Sequence, residues 1–519
     1  MFRVRHASAG VALAVLLSSF TVSAAVTDAQ IIKMDLQQLR TALDRKEITS
    51  EEILNAYIKK ITENNHQNQN INAVITMNEQ ALTEARTWDE QNKGQKKNPP
   101  LAGIPFLVKD NFNTKGILTT GGSVALETSK PDSNAFVVQK LLDEGAILLG
   151  KTNMSELSAS YGWLGYSSFG GQTLNPLNTL RDASGSSSGS AAAVTANFAP
   201  FALGTDTSGS IRGPASVTGN VGLRPTLGLT SRSGIIPLSL TSDNAGVITR
   251  TVQDQAIVLD AIQGEDKADA ATLQVKRADK PFALDLNSSY LKGKRIAVVD
   301  NFDGGNPDVD NIKKQAEQTL EQAGAKITHI TLPKEYENLW GLVLGPVGTA
   351  EFRPQFDAYL ASLPDGQPQN TSEFMKRLSS MTDNGTLKIN PARYKGLQES
   401  ANSKTTDSPE YISILSNTIP KLRAELTAIM TKGQYDAFFF PTMSCPGSVV
   451  NGKSDPSYIC KSSDAYAASY IASSTGFPEV TVPAGRATAN MPVGVSFLGL
   501  AGEDEKVLKL AYSFEKHSH

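Results

Sequence analysis

The segment GIPFLVKD, residues 103–110, is followed by a helix-spaced stretch from about Asn134 to Glu144 and then by AILLGKTN, residues 146–153. Short apolar runs bounded by turn residues read as buried strands, and strand–helix–strand alternation predicts a sheet flanked by helices. The chain is therefore expected to be α/β.

Working toward the N-terminus, INAVITM reads as a further strand and the polar run from Gln91 to Pro100 as a solvated loop. DLQQLRTALDRKEITSEEILNAYIKKI carries apolar residues at helical spacing, and Thr49 with Glu52 forms a capping box inside it, predicting a packed helical pair over 28–64. At the very start, Arg3 and Arg5 precede an apolar run from Ala9 to Leu17, with Val22, Ser23 and Ala24 as a small-residue cleavage site. This is the pattern of a secretory signal peptide over 1–24, with an uncleaved anchor as the alternative, and it places the mature protein in the periplasm or outside the cell. The apolar run is shorter than the roughly 20 residues that span a bilayer, so no membrane association is expected after cleavage.

Toward the C-terminus, residues 162–246 turn rich in Gly, Ser, Thr and Pro without helical periodicity, except in SAAAVTANFA. GKRIAVVD opens another strand–helix unit, with a helix over Asp308 to Gln322 and a strand at KITHITL. The stretch from Tyr336 to Met430 is mainly helical, YDAFFFPT, FPEVTVPAG and MPVGVSFLG are strands, and a closing helix presents Val507, Leu510, Ala511 and Phe514 on one face. Beyond the signal segment, one domain over 25–519 is expected: the helical pair, a core over 101–260, a variable substrate-shaping region over about 265–435, and C-terminal strands and helix over 436–516. A division near residue 265 is the alternative.

Composition excludes several classes. In 519 residues, 49 Lys and Arg offset 52 Asp and Glu for a net charge of -3, which gives no electrostatic case for nucleic acid or an acidic membrane as partner. The two cysteines, Cys445 and Cys460, are compatible with a disulfide worth about 3 kcal/mol or with two free thiols, and lack the neighbouring histidine of a metal site.

Histidine is scarce. Beyond the signal segment, His66 lies in an asparagine-rich loop, His517 and His519 in the tail, and only His329 on an expected strand. GSSSG, Gly185–Gly189, matches the GxSxG elbow with Ser187 central, and His329 follows in the chain order of an esterase, but no strand is expected before Ser187. SxxK at Ser289/Lys292 and Ser513/Lys516 follows the SDN at Ser242–Asn244, the reverse of the penicillin-binding order. Serine chemistry with a lysine base remains. Lys109 is the candidate, since it ends an apolar strand whose walls would disfavour its ammonium form; the alternative is a lysine snorkelling to solvent. Adjacent Asp110 should point to the opposite face.

GIPFLVKDN, GSSSGSAAA and GTDTSGSIRGPAS, in that order and spacing, resemble the three signature elements of the amidase signature family, as do GQTLNPLN, GLRPTLGLTSRSGIIPLSLTSDNAG and MPVGVSFLG. The likeness spans nearly the whole mature chain, and GSSSGS is most similar to the peptide amidase branch. It implies a single large mixed, mostly parallel twisted sheet flanked by helices. By position it implies Lys109 as base, Ser186 as bridging serine after a cis peptide bond at Gly185, and Ser210 as nucleophile. It further implies Thr207, Ser208 and Gly209, with Ser210, as the oxyanion hole, and Asp206 and Arg212 as supporting residues, with a surface ion pair as their alternative.

Such an enzyme needs no cofactor and no metal, acts on small-molecule or peptide amides, and is a monomer or homodimer. Many family members carry glycine where this chain has Ser184, Ser188 and Ser208, and Ser208 bears on the shape of the hole. Other readings are a catalytically idle amide-binding protein, the esterase using Ser187 and His329, and a transamidosome subunit, which the signal segment argues against. Pocket walls are expected from the region after Lys294.

Overall fold

A computed structural model describes residues 26–93, 97–382, 389–403 and 406–518. The expected signal segment, 1–24, lies outside the described residues, as does part of the expected loop over 91–100. At the N-terminus the chain forms helices Asp28–Ile31, Leu36–Asp44 and Ser50–Asn64. The Thr49 capping box is present: Glu52 N–H donates to Thr49 Oγ1 at 3.1 Å, and Thr49 N–H to Glu52 Oε2 at 2.8 Å.

Eleven strands make one sheet, in the order Val74–Met77, Ile147–Thr152, Pro105–Lys109, Phe201–Asp206, Asn244–Thr249, Val221–Arg224, Glu479–Ala487, Met491–Leu498, Ala437–Pro441, Arg295–Val299 and Lys326–Ile330. Strands from either side of residue 265 hydrogen-bond within this one sheet. It is mixed, as expected, but not mostly parallel. Parallel pairing is confined to Pro105–Lys109 with its two neighbours and to Arg295–Val299 with its two; the other six pairings are antiparallel. One antiparallel pairing follows from connection length: parallel neighbours need a crossover of a dozen residues or more, whereas Ala487 and Met491 are separated by a single short turn that permits only a hairpin.

Helices supply the covering layers. Val507, Leu510, Ala511 and Phe514 of the closing helix Asp504–Glu515 are buried against the sheet together with Phe439 and Phe497. Helix Ser188–Thr195 is built of small residues and is almost wholly buried, because Ser, Gly and Ala let it run close under the neighbouring strands. Helix Ile419–Gly433 packs with Tyr336, Phe438 and Phe440, whereas the helices Gly345–Leu360, Thr371–Thr382 and Pro391–Ala401 cluster around Phe352, Phe356, Phe374 and Leu397. They form one wall of the site.

Candidate active site

Lys109 ends the strand Pro105–Lys109, third in the sheet, which runs parallel to Phe201–Asp206 with Val108 opposite Leu203. That register sets the lysine beside Thr205, and the loop that follows Asp206 leaves from the same sheet end. Crevices beyond the carboxyl ends of parallel strands are the usual binding places in such sheets. Lys109 is fully buried, with Nζ 2.7 Å from Ser186 Oγ and 2.7 Å from Thr205 Oγ1. Asn111 Nδ2 also donates to Thr205 Oγ1, at 3.0 Å. Burial lowers the Lys109 amine to about 7, against a smaller opposing pull from Asp206 and Asp243. Near neutral pH a large share of it is uncharged and can accept a proton.

Asp110 points the other way, as strand alternation requires, and lies 3.3 Å from buried Lys151. The adjacent carboxylate therefore does not fix Lys109 as an ammonium.

Ser186 follows a cis peptide bond from Gly185. The next residue ties this turn to the second serine: Ser187 N–H donates to Ser210 O at 3.2 Å. Ser210 lines a cavity of about 460 Å³, and its hydroxyl has no hydrogen-bond partner among the described residues. In an unliganded site such bonds are commonly long and tighten on substrate binding.

The loop carrying Ser210 is held from below by a buried charge cluster. Arg212 meets Asp206 through two bonds, Nε to Oδ2 at 3.0 Å and Nη2 to Oδ1 at 2.9 Å, and meets Glu479 through Nη1 at 2.5 Å. Arg224 adds a contact to Asp206 at 3.2 Å. Two cations and two carboxylates thus balance with no exposure to water. Burial works to raise the Asp206 carboxyl, but the two guanidinium groups and the Ile211 N–H hold it well below the ordinary range.

Asp206 also orients the loop backbone, accepting from Gly209 N–H at 2.9 Å and Ile211 N–H at 3.0 Å. Gly209 takes φ +98°, and a Cβ there would stand 2.9 Å from Ser469 Cβ. The N–H groups of Thr207, Ser208 and Ser210 meet no acceptor among the described residues, and these three residues, unlike Gly209, line the cavity. Ser208 avoids the left-handed region, so its side chain fits without backbone strain.

The family model described as Amidase matches residues 52–508. The chain belongs to the amidase family. It is 31% identical over 508 residues to a glutamyl-tRNA(Gln) amidotransferase subunit of Thermoanaerobacter pseudethanolicus, covering 94% of this chain and 97% of that one. It is 32% identical to a probable amidase of Arabidopsis thaliana, covering 93% and 89%. Among solved structures, native peptide amidase from Stenotrophomonas maltophilia superimposes with a TM-score of 0.85 at 32% identity, covering 94% of this chain and 97% of that one.

In this amidase the expected residues fall into distinct groups. Lys109 and Ser186 meet directly, Ser210 is joined to their turn through the backbone, and Asp206 with Arg212 is a buried pair, not a surface one. Gly209 departs from expectation because its N–H is committed to Asp206. Ser187 and His329 are not brought together. Ser187 is buried with Oγ donating to Thr205 O at 3.1 Å, while His329 sits on the edge strand, half exposed, with Nδ1 2.9 Å from Asp300. Seven strand spacings, roughly 34 Å, separate that edge from the strand that accepts Ser187. The short strand Asn178–Asp182 does precede Ser187, but it belongs to a hairpin outside the main sheet.

Several functional residues were not legible in the sequence. Thr205 sits inside a quoted motif yet becomes visible as the second partner of Lys109 only through strand register. Glu479 is 267 residues from the Arg212 it pairs with, and no local pattern marks it. Cavity walls come from beyond Lys294, as expected, at Trp340, Leu344, Phe352 and Tyr470, but also from the 158–164 stretch through Ser158, Tyr161 and Leu164. The one charged side chain on the wall, Arg393, is occupied by the carbonyls of Glu156 and Leu157. Cys445 and Cys460 form a disulfide. Among the described residues no helix is long and apolar enough to cross a membrane, and no group of three or more His, Cys, Asp or Glu is placed to hold a metal.

Proposed function

We propose that this amidase hydrolyses carboxylic amides through an acyl-enzyme on Ser210, with Ser186 relaying protons to Lys109. Neutral Lys109 takes the Ser186 proton as Ser186 takes that of Ser210, and Ser210 Oγ attacks the amide carbonyl. When the tetrahedral intermediate collapses, the C–N bond breaks and the proton returns along the relay to the leaving nitrogen, releasing ammonia or amine. Water then gives a proton to the same relay, adds to the acyl carbon and releases the acid, and Ser210 regains its proton.

The oxyanion is assigned to the N–H groups of Thr207, Ser208 and Ser210, residues that line the cavity and whose N–H groups meet no acceptor among the described residues, and not to Gly209, whose N–H is held by Asp206. Losing one such donor typically costs about 3–4 kcal/mol of transition-state stabilisation. The observation that carries the reading is Lys109: a buried amine lowered to about 7 at hydrogen-bond distance from the Ser186 hydroxyl.

C-terminal peptide amides are the favoured substrates. Supporting this are the peptide amidase superposition over nearly the whole chain and a cavity whose one charged lining residue, Arg393, has its Nε and Nη2 bonded to the backbone carbonyls of Glu156 and Leu157. The leader-like residues 1–24 support action in the periplasm or outside the cell. Ser210→Ala is expected to abolish amide hydrolysis and fluorophosphonate labelling while leaving the thermal midpoint within a few degrees. An alanine variant that retains activity, or a wild type that never labels, rejects the mechanism and leaves an idle binding protein. Profiling against peptide amides, aryl and aliphatic amides and glutamine separates the substrate classes.

A further inference from the structure

Tyr466 lies between strand Ala437–Pro441 and helix Tyr470–Thr475, remote in sequence from both serine-bearing turns, yet it touches each of them. Its phenol meets the Ser186 turn at three points. Gly185 N–H donates to the phenol oxygen at 3.2 Å, the phenol O–H donates to Gly185 O at 3.1 Å, and Ser184 Oγ is hydrogen-bonded to the same oxygen. With Ser184 as donor, the phenol gives its single proton to Gly185 O and accepts twice, so its bonding is complete.

The ring of the same residue packs on the Ser210 loop. A Cβ built at Gly213 would stand 2.7 Å from Tyr466 Cε1, and one at Gly209 would stand 3.0 Å from Cδ1. Those glycines let the ring approach the backbone on either side of Ser210. Tyr466 is itself anchored, since its N–H donates to Asp464 Oδ1 at 2.9 Å and its carbonyl accepts from Ser469 N–H at 2.8 Å. Burial raises the phenol far above its ordinary range, so it remains a donor at every working pH.

We propose that Tyr466 is a positioning residue that sets the Ser186 turn against the Ser210 loop, its phenol gripping both backbone groups of Gly185 while its ring rests on Gly209 and Gly213. The inference rests on the Ser210, Ser186 and Lys109 reading above and adds the part that fixes their mutual distance. Relay geometry is sensitive to this, because a displacement of about 1 Å in a catalytic constellation costs on the order of 100-fold in rate.

Tyr466→Phe keeps the ring and removes only the phenol's bonds to Gly185 and Ser184. In the purified full chain, kcat for a peptide amide should fall about 10- to 100-fold with KM changed less than about threefold, the pattern of lost transition-state organisation. Fluorophosphonate labelling should slow by a similar factor. There the Ser210 Oγ–P bond forms, fluoride leaves and the proton passes through Ser186 to Lys109, so no amide substrate is involved.

An unchanged kcat overturns the inference, as does a loss confined to KM with unaltered labelling, which would mark Tyr466 as a substrate wall only. Wild type that labels at Ser210 together with a Phe variant that labels equally fast rejects this inference alone. Wild type that fails to label rejects the underlying mechanism and this inference with it. Should Tyr466→Phe not be recovered folded, Ser184→Ala removes one of the three phenol contacts: a severalfold fall in kcat at constant KM is expected, and an unchanged kcat overturns the proposal.

Discussion

Lys109 Nζ and Ser186 Oγ are 2.7 Å apart, and neither side chain is accessible to water beyond 1%. In the proposed relay this amine accepts a proton only when neutral, and its burial, lowering it to about 7, makes that possible at physiological pH. Activity should therefore carry an acid limb: kcat/KM rises with slope one below about pH 7 and levels above it, as the neutral form fills. The same group imposes a stability trend. Between about 7 and its ordinary value of 10.5, the unfolded chain holds a proton on Lys109 that the folded chain does not, so folding stability from this group rises with pH across that window. Lys109→Met should abolish hydrolysis and flatten that rise in urea-unfolding midpoints. A variant with the wild-type pH dependence of stability would mean that Lys109 is charged when folded.

Arg212 is paired with Asp206 and Glu479 in a cluster with no exposure. Arg212→Met leaves two buried carboxylates with only Arg224 nearby, and removing one member of a buried ion pair typically costs about 3–5 kcal/mol. Chemical denaturation should show a loss of that order, with activity lost as the Ser210 loop releases. A variant of wild-type stability would show that the cluster is neutralised by other means.

The disulfide Cys445–Cys460 closes a loop that grips the strand leading to the Ser186 turn. Arg181 donates to Gly447 O at 2.9 Å and to Asp455 Oδ2 at 2.7 Å, and Asp182 N–H donates to Ser448 O at 2.9 Å. Replacing both cysteines by serine should cost about 3 kcal/mol, the loop-closure value for roughly 15 residues. Wild type unfolded with and without a reductant should show the same difference. Equal midpoints in the two conditions contradict it.

Much of the fold is present in local patterns. Thr49 and Glu52 announced a helix start because a capping box is satisfied entirely within four residues. GIPFLVKD and AILLGKTN marked strands for the same reason, since alternation and turn residues are properties of short segments. Strand direction was not local. The mostly parallel sheet expected from the family resemblance gave way to a majority of antiparallel pairings; a turn too short for a crossover sets the one after Ala487, and the others join strands farther apart in the chain, whose direction no local pattern marks. His329, the one histidine suited by chain order to an esterase, was excluded only once its strand took the sheet edge beside Asp300.

By itself the sequence determined the alternation of strands and helices, the glycine- and serine-rich turns, and a lysine placed at the end of an apolar strand, since each depends on neighbours within a few residues. Only the tertiary structure decided what that lysine is. Its partners Ser186 and Thr205 lie 77 and 96 residues away, and the lowering of its amine to about 7 comes from desolvation on burial. Glu479 beneath Arg212 and Tyr466 against Gly185 were fixed the same way. Desolvation and long-range pairing are sums over atoms that meet only when the chain closes, and no stretch of sequence holds them.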